Sequence, residues 1–177
     1  MIDPVQELKI RAELLHHRLA AQQETALARL HALPELRKAS PPSLAAFAAQ
    51  AQRKHCLAVV AHEVGFKGWD HALRVLRGDS RETDFGDLLN PTRCAAYLNH
   101  WFSRHDEAHE LRRDRGGYLL AYRRHFFVAD RGFIGALGLD PDDSDWAAIG
   151  WDWARPLDVE ARLRLYGGLL DCTKKAA

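Results

Sequence analysis

His105 and His109 stand four residues apart in H-D-E-A-H, and on a helix that spacing projects both imidazoles from one face at a separation suited to a shared metal ion. The metalloprotease motif requires Glu directly after the first His. This chain has Asp106 there, so His100, Glu110 or His125 would have to complete the coordination. The pair is half of a zinc site, and the same two imidazoles could serve acid–base chemistry without a metal. A charged helix face left in water accounts for the same residues.

A second constellation follows. Arg112, Arg113, Arg115, Arg123, Arg124 and Arg131 surround Gly116-Gly117 and are interleaved with Tyr118, Tyr122, His125 and Phe126. Arginines grip anionic groups, and aromatic faces stack on planar ligands and bases. The two glycines let other groups approach the backbone, while Tyr122 and His125 carry polar tips on apolar bodies. Tyr118, Tyr122, Arg123, Arg124 and His125 are therefore the candidate ligand-binding residues, forming an anion-accepting patch or concave pocket. The competing account is internal neutralisation. Residues 132–160 hold seven acids against a single Arg155, with Asp142, Asp143, Asp145 and Asp152 available as partners.

Other motifs stop short of a site. The aspartates of Asp140 to Asp145 invite a calcium reading, but the sixth position is Asp145 instead of Gly and the twelfth is Trp151 instead of Glu. Helix capping by Asp140 or Asp142 explains them without an ion. Cys94 beside Arg93 could have a lowered thiol pKa, although a buried inert cysteine is the commoner case. Ala61 and Gly65 have the Ala-x-x-x-Gly spacing of a helix-turn-helix, whereas Phe66 and Trp69 favour a structural αα-hairpin anchored by Trp69. No glycine-rich phosphate loop or nucleophile elbow occurs. The reading assigns no cofactor and no metal.

The elements that position these residues are mostly helical. Asp3-Pro4 starts a helix whose apolar stripe, Val5, Leu8, Ala12, Leu15, Leu19, Ala26 and Leu30, runs to about Leu33. Ser40-Pro41-Pro42-Ser43 launches a second helix that continues from Leu44 to a cap at Gly65, and a short helix then stops at Gly78. Asn90-Pro91 predicts a long helix ending before Gly116. YLLAY (residues 118–122) and HFFVA (residues 125–129) predict a small hairpin, which two strands alone would hold only marginally without helices to pack on. Asp130 caps a helix ending at Gly138, and a last helix spans about Pro156 to Leu170.

The expected fold is mainly α, a single helical domain with a small β-hairpin in its C-terminal half. Residues 1–78 form an N-terminal helical region and 79–177 the remainder, sharing one core. The 25 Lys+Arg balance 24 Asp+Glu, so no global field points to nucleic acid or membrane. Three cysteines without C-x-x-C spacing imply reduced thiols, and the absence of a long apolar run implies a soluble cytoplasmic protein.

ELKIRAELLHHRL, RKHCLAVVAHEVGFKGWDHALRVL, YLLAYRRHFFV and ALGLDPDDSDWAAIGWDW together resemble a family of uncharacterised bacterial proteins. The A-x-x-x-G-F-x-x-W segment, Ala61 to Trp69, is also similar to a helical module of proteins labelled glyoxalase-related. The resemblance implies no activity and no catalytic residues. The functional expectation is a binding or interaction module whose partner is a protein or an anionic small molecule. An enzyme using His105 and His109, or a nucleic-acid-binding protein, is the alternative.

Overall fold

The computed structural model describes residues 3–175. Their contacts divide the chain into two compact units, one from Val5 to Leu73 and the other from Arg74 onward.

In the N-terminal unit, α1 (Pro4–Ala20) starts at the expected proline, and Leu8, Ala12, Leu15 and Leu19 are fully buried along one face. The predicted continuous helix to Leu33 is broken. Gln22 takes a left-handed conformation at φ 52, and Gln23 N–H closes back on the Arg18 carbonyl at 3.1 Å. α2 (Glu24–Arg29) and two single 3₁₀ turns follow, and the apolar stripe survives the break because Ala26, Leu30 and Leu33 remain buried.

The second predicted helix is also two. α3 (Pro41–Ala49) ends at Gln50, and α4 (Arg53–Glu63) starts afresh with a reciprocal cap between Gln52 and His55. The intervening Ala51 carbonyl accepts from His16 Nε2 at 3.0 Å, so the polar backbone freed by the break has a partner. Gly65 is the expected left-handed cap at φ 89, with Phe66 N–H donating to the Ala61 carbonyl at 2.9 Å. Trp69 is not the anchor. It opens α5 (Trp69–Arg77) half-buried, whereas Phe66 is 3% exposed and meets His71 edge-on.

In the C-terminal unit, α5 ends at Gly78, whose φ of 72 lets Asp79 N–H reach the Arg74 carbonyl at 2.9 Å. The long helix predicted from Asn90 does not form. Pro91 leads only into a 3₁₀ turn at Thr92–Cys94, and His100–Phe102 is a strand, β1. The reason is tertiary: β1 pairs antiparallel with the hairpin, Phe102 opposite Phe126, and a third strand supports what two could hold only marginally. α6 is confined to His105–Arg115.

The hairpin itself is as read, β2 (Tyr118–Tyr122) against β3 (His125–Ala129), and the sheet order is β1-β3-β2. Ala108 of α6, Leu119 and Val128 form a buried cluster flanked by Phe102, Leu111, Phe126 and Ala154. The far side of β2 is closed by the chain at 151–153, since Leu119 N–H donates to Trp151 and its carbonyl accepts from Trp153, both at 2.9 Å. α7 (Arg131–Leu137) is capped by Asp130, whose carboxylate accepts from Phe133 N–H. α8 (Ser144–Ala148) and α9 (Val159–Lys175) complete the unit. A run of ring contacts, Tyr118 to Trp146 to Trp153 to Tyr166, ties β2 to α9.

The fold is thus mainly α with a small antiparallel sheet. Among the described residues, no helix is long and apolar enough to cross a membrane.

Candidate functional site

The hairpin residues do not converge on one place. Tyr118 is buried and its hydroxyl donates to the Pro141 carbonyl at 2.7 Å. Tyr122 packs edge-on against Trp101. Arg123, at φ 51 in the turn, grips Asp87 with two bonds of 2.7 and 3.1 Å, and its backbone pairs with Phe85 and Gly86. His125 is exposed at the start of β3. Two of the five line a sizeable cavity, and not the same one: Arg124 lines a cavity of about 600 Å³, and Tyr118 lines another of about 460 Å³ beside Gly116 and Gly117.

Internal neutralisation accounts for half of the six arginines of the cluster, since Arg113, Arg123 and Arg131 each hold a carboxylate. Arg131 pairs with Asp142 and Arg164 with Asp145, each through two guanidinium nitrogens. Capping falls one residue away from the expected Asp140 or Asp142: Asp143 accepts from Asp145 N–H at the start of the 144–148 helix, while Asp140 accepts from Asp142 N–H in the turn before it. Arg123 differs from expectation in its partner, Asp87, which lies outside the acidic stretch.

The cavity beside Arg124 has a volume of about 600 Å³, within the range of small-molecule sites. Val75 and Gly78 at the end of α5, Phe85 in the following loop, Phe126 on β3, and Pro156 and Val159 entering α9 give it a largely apolar wall. Arg124 and Arg155 stand on it exposed, and Arg162 stands on it buried.

Arg162 is only 3% exposed, yet no carboxylate pairs with it among the described residues. Nη1 donates to the Trp153 carbonyl at 3.1 Å, and Nε is buried without any partner. The guanidinium also lies over the Tyr166 ring, 5.8 Å from its centroid. Burial pushes the Tyr166 phenol up. A buried cation without a counter-charge is costly, since desolvation is not offset by an ion pair. The two acids on the cavity wall are committed elsewhere: Asp79 holds Arg81, which keeps its carboxyl below the usual range, and Glu82 holds Arg74 at 2.8 Å.

Sequence reading did not single out Arg162. Its signal was present, because it falls in the buried stripe of α9 with Leu165, Tyr166 and Leu169, where charged residues are rare unless paired.

His105 and His109 do share a face of α6, with rings 5.8 Å apart. His105 Nε2, however, is held by Asp152 Oδ2 at 2.7 Å, and both side chains are buried. Asp152 Oδ1 accepts from the Ala154 and Arg155 N–H groups at 3.0 and 2.9 Å. His105 Nδ1 is shielded without a hydrogen bond, 3.5 Å from Asp106, and His109 is exposed. His105 and Arg155 together hold the Asp106 carboxyl below its usual range. Among the described residues, no three His, Cys, Asp or Glu groups are arranged to hold a metal ion. The cluster fastens α6 to the 152–155 turn. Cys94 departs from the reactive reading, since burial raises its thiol pKa despite Arg93.

Comparison of the chain with protein-family models, with curated proteins and with solved structures finds no match.

Proposed function

We propose that the protein is a binding module for a small anionic molecule with an apolar body, received in the cavity between Gly78, Phe126 and Arg162. The observation that carries this reading is Arg162, a buried guanidinium on an apolar cavity wall with no carboxylate partner among the described residues. A ligand anion would supply the missing counter-charge, and Arg124 and Arg155 at the exposed margin would favour approach of negative charge. Two of the hairpin arginines expected to bind an anion enter this reading differently: Arg124 lines the cavity, while Arg123 is spent on Asp87.

The enzyme alternative has the His105–Asp152 pair in its favour, because a carboxylate that orients an imidazole is a common feature of general bases. The remaining ring nitrogen of His105 is shielded from solvent, which leaves it poorly placed to meet a substrate. Binding is the reading the geometry favours.

Fluorescence of anilinonaphthalene sulfonate, an apolar aromatic anion, tests it in the native protein. Saturable enhancement is expected, with affinity falling by about tenfold or more in Arg162→Met, the scale of one charged hydrogen bond. Equal enhancement in parent and variant would remove Arg162 from any site and the reading with it.

A further inference from the structure

We infer that the groove beside Gly116 and Gly117 is a second ligand site, for a planar aromatic anion that stacks on the Trp151 ring. It shares no lining residue with the cavity beside Arg124.

Trp151 occupies a backbone position that does not suit it. Its φ of 52 lies in the left-handed region, and Gly150 before it is left-handed too, at φ 68. The backbone there has a structural duty: Trp151 N–H donates to the Trp146 carbonyl at 2.7 Å, and the Trp151 carbonyl accepts from Leu119 N–H at 2.9 Å. Glycine meets that duty without strain, whereas a bulky side chain adds to its cost. The backbone therefore does not account for an indole at 151, and burial accounts for only part of it, since the ring is 36% exposed. The Arg112 guanidinium lies over the ring, 4.8 Å from its centroid. The ring also lines the groove, which Arg112 does not. Trp151 is thus an aromatic surface backed by a cation and presented to a groove.

The groove has a volume of about 460 Å³, room for a fused ring and a substituent. Leu98, Leu111 and Val128 supply apolar wall. The two glycines play different parts. A β-carbon on Gly117 would strike the Ala129 carbonyl at 2.8 Å, so packing against β3 requires that glycine. A β-carbon on Gly116 would meet nothing within 4 Å, and the space beside it is open.

The charge left over at the groove is positive. Arg131 is spent on Asp142, and the Asp130 carboxylate accepts from Phe133 N–H. Arg115 stands exposed on the wall with no carboxylate partner among the described residues, and Arg112 behind the ring has none either. This balance selects an anion. Solvent screens Arg115, so the ring contact carries the larger share of the affinity.

Fluorine NMR of the full chain labelled with fluorotryptophan gives a local test, because Trp151 lines this groove and not the cavity beside Arg124. The chain has five tryptophans, and the resonance missing from Trp151→Gly identifies Trp151; glycine accepts the left-handed backbone, so that variant folds. Naphthoate and adenosine monophosphate, a carboxylate and a phosphate on flat rings, are expected to shift this resonance saturably, the tighter of the two naming the source of the anion. Decahydronaphthoate, the saturated counterpart, should bind about tenfold more weakly, the scale of one stacked ring. Naphthamide, the uncharged counterpart, should be weaker by about threefold, and Arg115→Ala should lose about threefold for naphthoate, the scale of an exposed charge. Decahydronaphthoate matching naphthoate would overturn the stacking role of Trp151. Naphthamide matching naphthoate, with Arg115→Ala unimpaired, would overturn the preference for an anion. A Trp151 resonance that none of the probes moves would overturn the site altogether, whatever binds beside Arg124.

Discussion

The Nη2 atom of Arg162 lies 2.7 Å from the point where a β-carbon on Gly78 would stand. The glycine thus serves twice, turning the chain at the end of α5 at φ 72 and leaving room for the guanidinium. Gly78→Ala should destabilise the protein by about 1 to 2 kcal/mol, because a left-handed backbone disfavours a side chain. It should also shift Arg162 and weaken binding of an apolar anion. Denaturant unfolding and probe titration measure the two effects separately, and loss of stability with unchanged binding would disconnect Gly78 from the cavity.

Arg162 itself should be a liability to folding. Arg162→Met removes a buried charge that has no ion-pair partner and replaces it with an apolar chain of similar reach. Such exchanges are often neutral or stabilising, and the lost bond to the Trp153 carbonyl is the opposing contribution. Stability of the variant within about 1 kcal/mol of the parent, or above it, is the expected outcome of urea unfolding. A loss of several kcal/mol would show that the guanidinium holds the fold together.

For the His105–Asp152 pair the expectation runs the other way. His105→Ala leaves the Asp152 carboxylate buried with one oxygen bare, and a loss of about 2 to 3 kcal/mol should follow. Equilibrium unfolding would detect it; no loss would mean that solvent reaches Asp152 freely.

In the N-terminal unit, Phe66→Ala should cost about 3 to 5 kcal/mol, the range for a large aromatic removed from a core. Trp69→Ala should cost clearly less, since that ring is half-exposed at the head of α5. The reverse order in thermal or denaturant unfolding would return Trp69 to the role of anchor.

A pH effect is expected at Arg131 and Asp142. The hydrogen-bonded guanidinium holds the Asp142 carboxyl below its ordinary value. A folded-state pKa that is depressed adds stability above the unfolded value, near 4, and the addition is lost as pH falls through the folded value. Arg131→Met should flatten the decline in melting temperature between about pH 5 and about pH 2. An unchanged acid limb would show the pair to be inconsequential in solution.

What was legible in the sequence was local. Pro4, the Gly65 cap, the Asp130 cap and the β2–β3 hairpin are written in residues within a few positions of each other, and all four appear in the structure. The long helices failed where one residue could interrupt a stripe without destroying it: Gln22 breaks the first helix, yet Ala26 and Leu30 stay buried. β1 was missed because its three residues become a strand only by pairing with β3. The candidate site was legible in part. Arg124 was named and lines the cavity, but Arg162 depends on Gly78 and on the Trp153 carbonyl. Asp152 meets His105 across 47 residues, a relationship no spacing rule conveys.

The sheet has one consequence for the protein in concentrated solution. Because the chain at 151–153 already occupies the far side of β2, the edge left open is that of β1, only three residues long. An unpaired edge is a template on which a second molecule can add a strand, and short edges are poor templates. Strand-by-strand assembly should therefore be disfavoured in this protein even though Leu98, fully exposed, and Trp101 lie at or beside that edge. Any self-association there would proceed through side chains and remain reversible on dilution.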